Sequence, residues 1–260
     1  MGVEQKEAGD ASERLEADLD AVMGRVTADL LARSHLMRPG HVAAELTRAA
    51  RPLGVSQVLV YLADLEQRHL VPLMSEDDRD NEAAAALAID STLAGRAYQA
   101  VTTQTSMAGA AYKLWIPLVD GTERLGVLGF TVADVSQGML DRYRTLASLA
   151  GMLVSAKNEI SDTYPHLQRS REMALQAELV WAFLPPRTFA TGNTTVAASL
   201  EPAYEAGGDA FDYALLGDHL HLSIFDALGH DLAAGLLASV CLASCRSTRR
   251  AGGPLAAVVA

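Results

Sequence analysis

Hydrophobic residues recur at every second position on both sides of Gly217-Asp218, within residues 206–231. This spacing predicts a β-hairpin, because successive side chains of a strand point to opposite faces of the sheet. A glycine-first pair suits a two-residue type II′ turn, which fixes the register of the two strands. The register places one apolar face across the hairpin, with these pairs opposite each other: Leu215 and Leu220, Tyr213 and Leu222, Phe211 and Ile224.

The same register brings Asp209 opposite Asp226 at the open end of the apolar face. Carboxylates directly opposite in a hairpin have Cβ atoms about 5 Å apart, and they repel each other unless a cation lies between them. Mg²⁺ and Mn²⁺ prefer oxygen ligands of this kind. Gly207 and Gly208 precede the first aspartate and allow backbone, water or substrate to approach closely. The pattern therefore indicates either a divalent-cation site or two acidic residues where strands meet solvent.

Three sequence blocks occur in a fixed order in this region: AEL at 177–179 with FLPP at 183–186, then GGDAFD at 207–212, then FDALGHD at 225–231. They resemble the AE…LLPP, GGD-x-[FY]-D and GD-x-SGHG blocks of bacterial SpoIIE-type protein phosphatases, which belong to the metal-dependent PPM family. Phe225, Leu228 and Asp231 depart from the family pattern, which usually has Gly, Ser and Gly at these positions.

The resemblance implies catalytic and metal-binding roles for Asp209 and Asp226. Asp209 would hold one Mn²⁺ or Mg²⁺ ion, Asp226 would bridge two, and the Ala227 carbonyl would complete a coordination shell. Asp212 falls on the opposite face of the strand, so its replacement is expected to be milder. The implied activity is metal-assisted hydrolysis of phosphoserine or phosphothreonine. The implied substrate is a phosphorylated anti-sigma-factor antagonist, whose dephosphorylation controls bacterial transcription.

The region after the hairpin predicts a helix over residues 232–246, which Asp231 can cap. This helix is apolar on nearly every side and is therefore expected to be buried over the hairpin's sheet. The sequence then stops in an apolar run, before the later strands that supply the family's remaining metal-binding aspartates. We therefore expect an incomplete α/β/β/α sandwich over residues 185–260 and a nearly inactive 260-residue chain. The alternative is a non-catalytic sensing and dimerisation protein with a vestigial or truncated phosphatase domain.

Apolar residues recur with helical spacing at 15–36 and at 139–164, and the residues between these segments show the alternation typical of strands. The pattern predicts a second helix at 41–53, strands at 55–62 and 69–74, and a hairpin of 112–119 with 125–132. This order, with IDSTLAGRAYQ at 89–99 and WIPLVDGTERLGVLGF at 115–130, resembles a GAF domain, a fold that senses small molecules or signals. A ligand is implied by the resemblance, although the cavity could also be empty and serve only dimerisation. No cysteine precedes Cys241, which excludes a thioether-linked bilin.

These patterns predict an α+β protein in four parts: a flexible N-terminus at 1–14, a GAF-like sensor at 15–160, a linker or switch helix at 161–184, and the phosphatase part at 185–260. Leu146, Leu149, Leu153 and Ile160 form an apolar stripe that Pro165 interrupts. The stripe suits helices packed on their own domains, and it also suits a parallel coiled coil between protomers. We expect a homodimer through the helices at 15–36 and 139–164.

Charge and composition bear on whether the chain binds nucleic acid or a membrane and on its cellular compartment. The net charge of −11 argues against a general nucleic-acid binder. No apolar run reaches the ~20 residues of a membrane span, and no signal peptide opens the chain. Cys241 and Cys245, four residues apart, are expected to be buried thiols, which suits a reducing cytoplasm.

Overall fold

The computed structural model describes residues 2–74 and 85–258. The chain divides into two compact units, Met1–Arg169 and Ser170–Ala260. The boundary falls inside the predicted linker at 161–184. The residues before it form a short helix in the first unit, and the residues after it form a helix in the second.

The first unit is an α+β structure built on a six-stranded antiparallel sheet, with strand order β3-β2-β1-β6-β5-β4. The strands are β1 (Val55–Ala63), β2 (His69–Pro72), β3 (Leu87–Ala88), β4 (Gln104–Ala108), β5 (Ala111–Asp120) and β6 (Glu123–Val132). The helices are α1 (Gly2–Ser34), α2 (Val42–Ala50), α3 (Leu93–Ala100), α4 (Gln137–Asn158) and α5 (Thr163–Gln168). The predicted hairpin is confirmed as β5 and β6, which turn at Gly121 with a positive φ of 58°. The element order is the one that the GAF resemblance implied.

Alternating side chains give this sheet two different faces. One face packs against α1, α2 and α4 in the main core, which contains Val60, Leu114 and Phe130 of the sheet. The other face packs against α3 in a smaller cluster around Tyr61 and Val127.

Much of the apolar surface of α1 and α4 packs inside the first unit, whereas Leu15, Leu31 and Ile160, which follows α4, are exposed. Leu30 of α1 and Leu146 of α4 are buried in the main core. The two helices are also joined by Arg142, whose Nη2 donates to Glu16 Oε2 at 2.6 Å and to Asp20 Oδ1 at 2.7 Å. Residues 2–14, predicted to be flexible, belong to α1.

The second unit contains α6 (Leu175–Phe183), β7 (Thr188–Ala190), β8 (Thr195–Ala197), β9 (Asp209–Leu216), β10 (His219–Asp226) and α7 (Leu232–Arg250). Its described residues form two separate two-stranded antiparallel sheets, β7-β8 and β9-β10. The sandwich implied by the phosphatase resemblance is not seen among them. Helix α6 packs against α7, with Val180 and Leu242 in a shared cluster.

Candidate functional site

The predicted hairpin register is confirmed. Strands β9 and β10 pair antiparallel, with Asp209 opposite Asp226 and Asp212 opposite Ser223. The two-residue loop begins with Gly217 at a φ of +57°, and Asp218 has no positive φ, as a type II′ turn requires. Both Asp209 and Asp226 are exposed. The structure therefore places the two carboxylates as cross-strand neighbours on one face, open to solvent.

The apolar face of the hairpin is exposed, although α7 packs over the hairpin's sheet as the sequence predicted. Leu222 is 62 % and Ile224 is 88 % exposed. Helix α7 packs on the opposite face, where Ala210 and Asp212 are buried and Ser223 Oγ lies 3.4 Å from Cys245 Sγ. The carboxylate pair thus lies on the face of the hairpin that α7 leaves open.

The expectation that α7 is buried on nearly every side is also wrong. Its small residues Ala234, Gly235 and Ala238 are buried, whereas these large residues are exposed: Leu232, Leu236, Leu237 and Val240. The reason is close packing of backbones. A Cβ on Gly235 would lie 2.9 Å from the Gln176 Cβ of α6. A helix that approaches its neighbour this closely turns its small side chains inwards.

The two glycines before Asp209 allow the close backbone approach that the sequence predicts. A Cβ on Gly207 would lie 2.5 Å from the His230 carbonyl oxygen, and one on Gly208 would lie 2.4 Å from that of Ala227. The Ala227 N–H donates to the Gly208 carbonyl at 2.9 Å. The loop after β10 therefore folds directly onto the Gly-Gly segment, which holds the ends of both aspartate-bearing strands together.

The predicted helix cap after this loop is confirmed. Asp231 Oδ1 accepts a hydrogen bond from the Ala234 N–H at 3.0 Å and caps α7. Such a cap satisfies a backbone donor that has no partner within the helix. The loop between Asp226 and α7 is therefore short, and it is held at its start by the Ala227–Gly208 hydrogen bond and at its end by the Asp231 cap.

Asp212 has a role that the sequence analysis missed. It is 2 % exposed. Its Oδ1 accepts from Arg246 Nη2 at 2.7 Å, and its Oδ2 accepts from Arg249 Nη1 at 2.8 Å. Arg246 Nη2 also donates to the Phe183 carbonyl at the end of α6, at 2.8 Å. The predicted position of Asp212 on the opposite face from Asp209, paired with Ser223, is confirmed, and the milder effect on activity stays a prediction. The sequence feature that could have indicated a buried partner for Asp212 is the pair Arg246 and Arg249, three residues apart near the end of a helix.

The oxygen donors at the open end of the hairpin are the Asp209 and Asp226 carboxylates and the nearby Ala227 carbonyl. These are hard ligands, which fit Mg²⁺ or Mn²⁺ as part of a coordination shell. Within the described residues, no three His, Cys, Asp or Glu side chains are grouped so that they could hold a metal ion. The donor set therefore fits one weakly held cation better than two tightly held cations.

Lys113 is a half-buried cation on the sheet face that α3 covers. Lys113 Nζ lies 5.2 Å from the centre of the Trp115 ring, within the range of a cation–π interaction. Burial lowers the pKa of Lys113. Tyr61 packs edge-on against the same Trp115 ring at 5.8 Å. These side chains form a mixed polar and aromatic patch.

No protein-family model matches the chain, and no curated protein sequence does either. Among solved structures, the GAF domain of an Acinetobacter phosphoenolpyruvate-protein phosphotransferase is 13 % identical, over 56 % of this chain and 96 % of that one, with a TM-score of 0.43. The corresponding Coxiella burnetii domain is 12 % identical, over 55 % and 96 % of the two chains, with a TM-score of 0.44. The GAF-B domain of DevS from Mycobacterium smegmatis is 18 % identical, over 47 % and 99 %, with a TM-score of 0.37.

Among the residues that the structure describes, no helix has the length and apolar character needed to cross a membrane.

Proposed function

We propose that this chain joins a GAF-type sensor in its first unit to a metal-binding hairpin of a SpoIIE-type protein serine/threonine phosphatase in its second. The observation that supports the phosphatase proposal most directly is the pairing of Asp209 with Asp226 on an open face. The proposed substrate is a phosphorylated anti-sigma-factor antagonist protein. The proposed setting is cytoplasmic control of transcription in a bacterium.

The proposed chemistry is metal-assisted hydrolysis of a phosphate ester. A bound Mn²⁺ or Mg²⁺ ion supplies a water of lowered pKa and neutralises charge on the phosphoryl oxygens. The role of Asp209 and Asp226 is to hold the cation at the open hairpin end. Gly207 and Gly208 position these carboxylates by letting the loop after β10 lie against the backbone.

The sensor proposal is supported by the architecture of the first unit. Its six-stranded antiparallel sheet carries helices on both faces, and the face under α3 presents Lys113 and Trp115. A half-buried cation beside aromatic rings is a suitable contact for a small ligand, because ligand pockets combine apolar walls with a few polar groups.

A second candidate is a non-catalytic sensing and dimerisation protein. It is favoured by the small number of oxygen donors at the hairpin within the described residues. The two candidates differ in whether the carboxylate pair binds a cation at all.

Titration of the full chain with Mn²⁺, followed by electron paramagnetic resonance of the free ion, tests this difference. We expect one Mn²⁺ site with a dissociation constant on the order of 1 mM, since few fixed ligands give weak binding. The variants Asp209→Asn and Asp226→Asn should each lose this site. Asp218→Asn, in the exposed turn of the same hairpin, is the matched control and should keep it.

Hydrolysis of p-nitrophenyl phosphate with Mn²⁺ gives a second measurement on the same proteins. We expect turnover to be very low and to disappear in Asp226→Asn. Mn²⁺ binding that is equal in all four proteins would contradict the proposal and favour the non-catalytic candidate. Turnover that survives Asp226→Asn would contradict the metal-holding role proposed for Asp226.

A further inference from the structure

A groove lies on the first unit where α1 ends and the chain turns into α2. Its volume is about 400 Å³, within the range of ~300–1,000 Å³ typical of small-molecule sites. Ala32, Arg33 and Leu36 line it from the end of α1 and the turn that follows. The groove is separate from the carboxylate hairpin, which belongs to the other unit. It is also separate from the sheet face that α3 covers.

The acidic groups around the groove are already engaged by arginines. Arg33 Nε donates to Asp29 Oδ1 at 3.0 Å. Arg48 Nη2 donates to Glu45 Oε2 at 2.7 Å and to Asp29 Oδ2 at 2.9 Å. Glu45, which lines the groove, thus directs its carboxylate to a cation on its own helix.

Two basic side chains of the groove remain available. Arg38 and His41 both line it, and no hydrogen bond or ion pair joins either side chain to another residue in the described parts of the chain. An arginine always carries its charge and presents donors in a planar fork that matches a carboxylate. The groove therefore has an excess of donors for an anion.

The apolar part of the groove lies beside these donors. Met37 is buried in the main core and forms an apolar floor. Leu36 is 94 % exposed, so nothing in the unit covers it. Burying such a side chain against an apolar ligand stabilises the complex by removing its surface from water.

We propose that this groove binds a small carboxylate with an apolar tail, of the class of medium-chain monocarboxylic acids. The carboxylate receives hydrogen bonds from Arg38, with His41 beside it, and the tail covers Leu36 and Met37. Charge complementarity selects an anion, and the exposed leucine selects one with an apolar part.

Ligand-observed NMR titration of the full chain with octanoate tests this assignment, with octan-1-ol as the uncharged match. We expect octanoate to bind more tightly than octanol. Arg38→Gln should weaken octanoate binding about fivefold, as expected for loss of a partly exposed charge pair. Leu36→Ser should weaken octanoate and octanol alike, by about threefold, through lost apolar contact. Both replaced side chains are exposed, so the fold should be retained.

Arg25→Gln is the control, because Arg25 is an exposed arginine on α1 outside the groove. It should leave octanoate binding unchanged. Octanoate affinity that is equal in the parent, Arg38→Gln and Leu36→Ser would place the ligand elsewhere and overturn the proposal. Equal binding of octanoate and octanol would overturn it as well. So would a parent chain that binds no octanoate while Leu36→Ser changes its oligomeric state, because Leu36 would then contact a second copy of the chain.

Discussion

Asp209 and Asp212 are three residues apart on one strand and have opposite environments. Asp209 faces solvent with Asp226, whereas Asp212 is buried between Arg246 and Arg249. A buried carboxylate is tolerated only when cations and hydrogen bonds replace its hydration. The difference follows from strand alternation, but only the packing of α7 decides which of the two aspartates loses its water.

Replacing Asp212 should destabilise the second unit. Asp212→Asn leaves Arg246 and Arg249 without their carboxylate, and removal of one partner of a buried pair costs about 3 kcal/mol. Urea unfolding in a Trp115→Phe background measures this, because Trp181 then reports on the second unit alone. Asp218→Asn, which is exposed, should be within experimental error of the parent. An Asp212→Asn protein as stable as that control would show that the ion pairs contribute nothing net.

At the scale of elements, the β9-β10 hairpin and the loop after β10 form one structural unit. The turn at Gly217 sets the register, and the contacts of Gly207 and Gly208 with the loop after β10 hold the open end. Helix α7 begins immediately beyond that loop with the Asp231 cap. The position of the carboxylate pair therefore depends on backbone contacts as much as on the aspartates themselves.

A methyl group at Gly208 should displace the loop after β10. In Gly208→Ala the new Cβ would lie 2.4 Å from the Ala227 carbonyl oxygen, so the loop must move, and such overpacking costs about 1–3 kcal/mol. In the Trp115→Phe background, we expect Trp181 fluorescence to show a lower free energy of unfolding, and we expect weaker Mn²⁺ binding. Gly192→Ala is the control, because its Cβ would have no neighbour within 4 Å. Equal stability of the two variants would mean that the loop adjusts without cost.

At the scale of the whole molecule, the two units differ in how they use apolar residues. The first unit buries much of the apolar surface of α1 and α4 in its own core. The second exposes the large apolar residues of α7 and of one hairpin face. Association through α1 and α4 therefore depends on the few apolar side chains that these helices leave exposed, such as Leu15, Leu31 and Met152.

We expect the full chain to form a homodimer through α1 and α4 at tens of micromolar. Charges on their exposed apolar residues, in the double variant Leu15→Glu, Met152→Glu, should shift the dimer to monomer because an ionised carboxylate is costly to bury. Sedimentation velocity measures the shift. The control is Met107→Glu on β4, at a methionine more exposed than Met152, and it should remain dimeric. A parent chain that is monomeric at these concentrations would refute the expectation.

The sequence by itself determined the local features. The pairing of Asp209 with Asp226 could be predicted because side-chain alternation and a two-residue turn act within a few residues. The same is true of the Asp231 cap and of the β5-β6 hairpin. These features depend on neighbours in the chain, so their residue types are sufficient to predict them.

Only the tertiary structure decided which surfaces become buried. The sequence predicted a helix over the hairpin's sheet but not the face that it covers. In the structure α7 packs on the face of Asp212, where Arg246 and Arg249 meet the carboxylate. The apolar stripe of α4 suited both a coiled coil and an internal core, and Leu146 and Leu153 of this stripe pack in the core of their own unit. Burial is decided by partners distant in sequence, since the hydrophobic effect rewards apolar area removed from water without specifying which partner covers it.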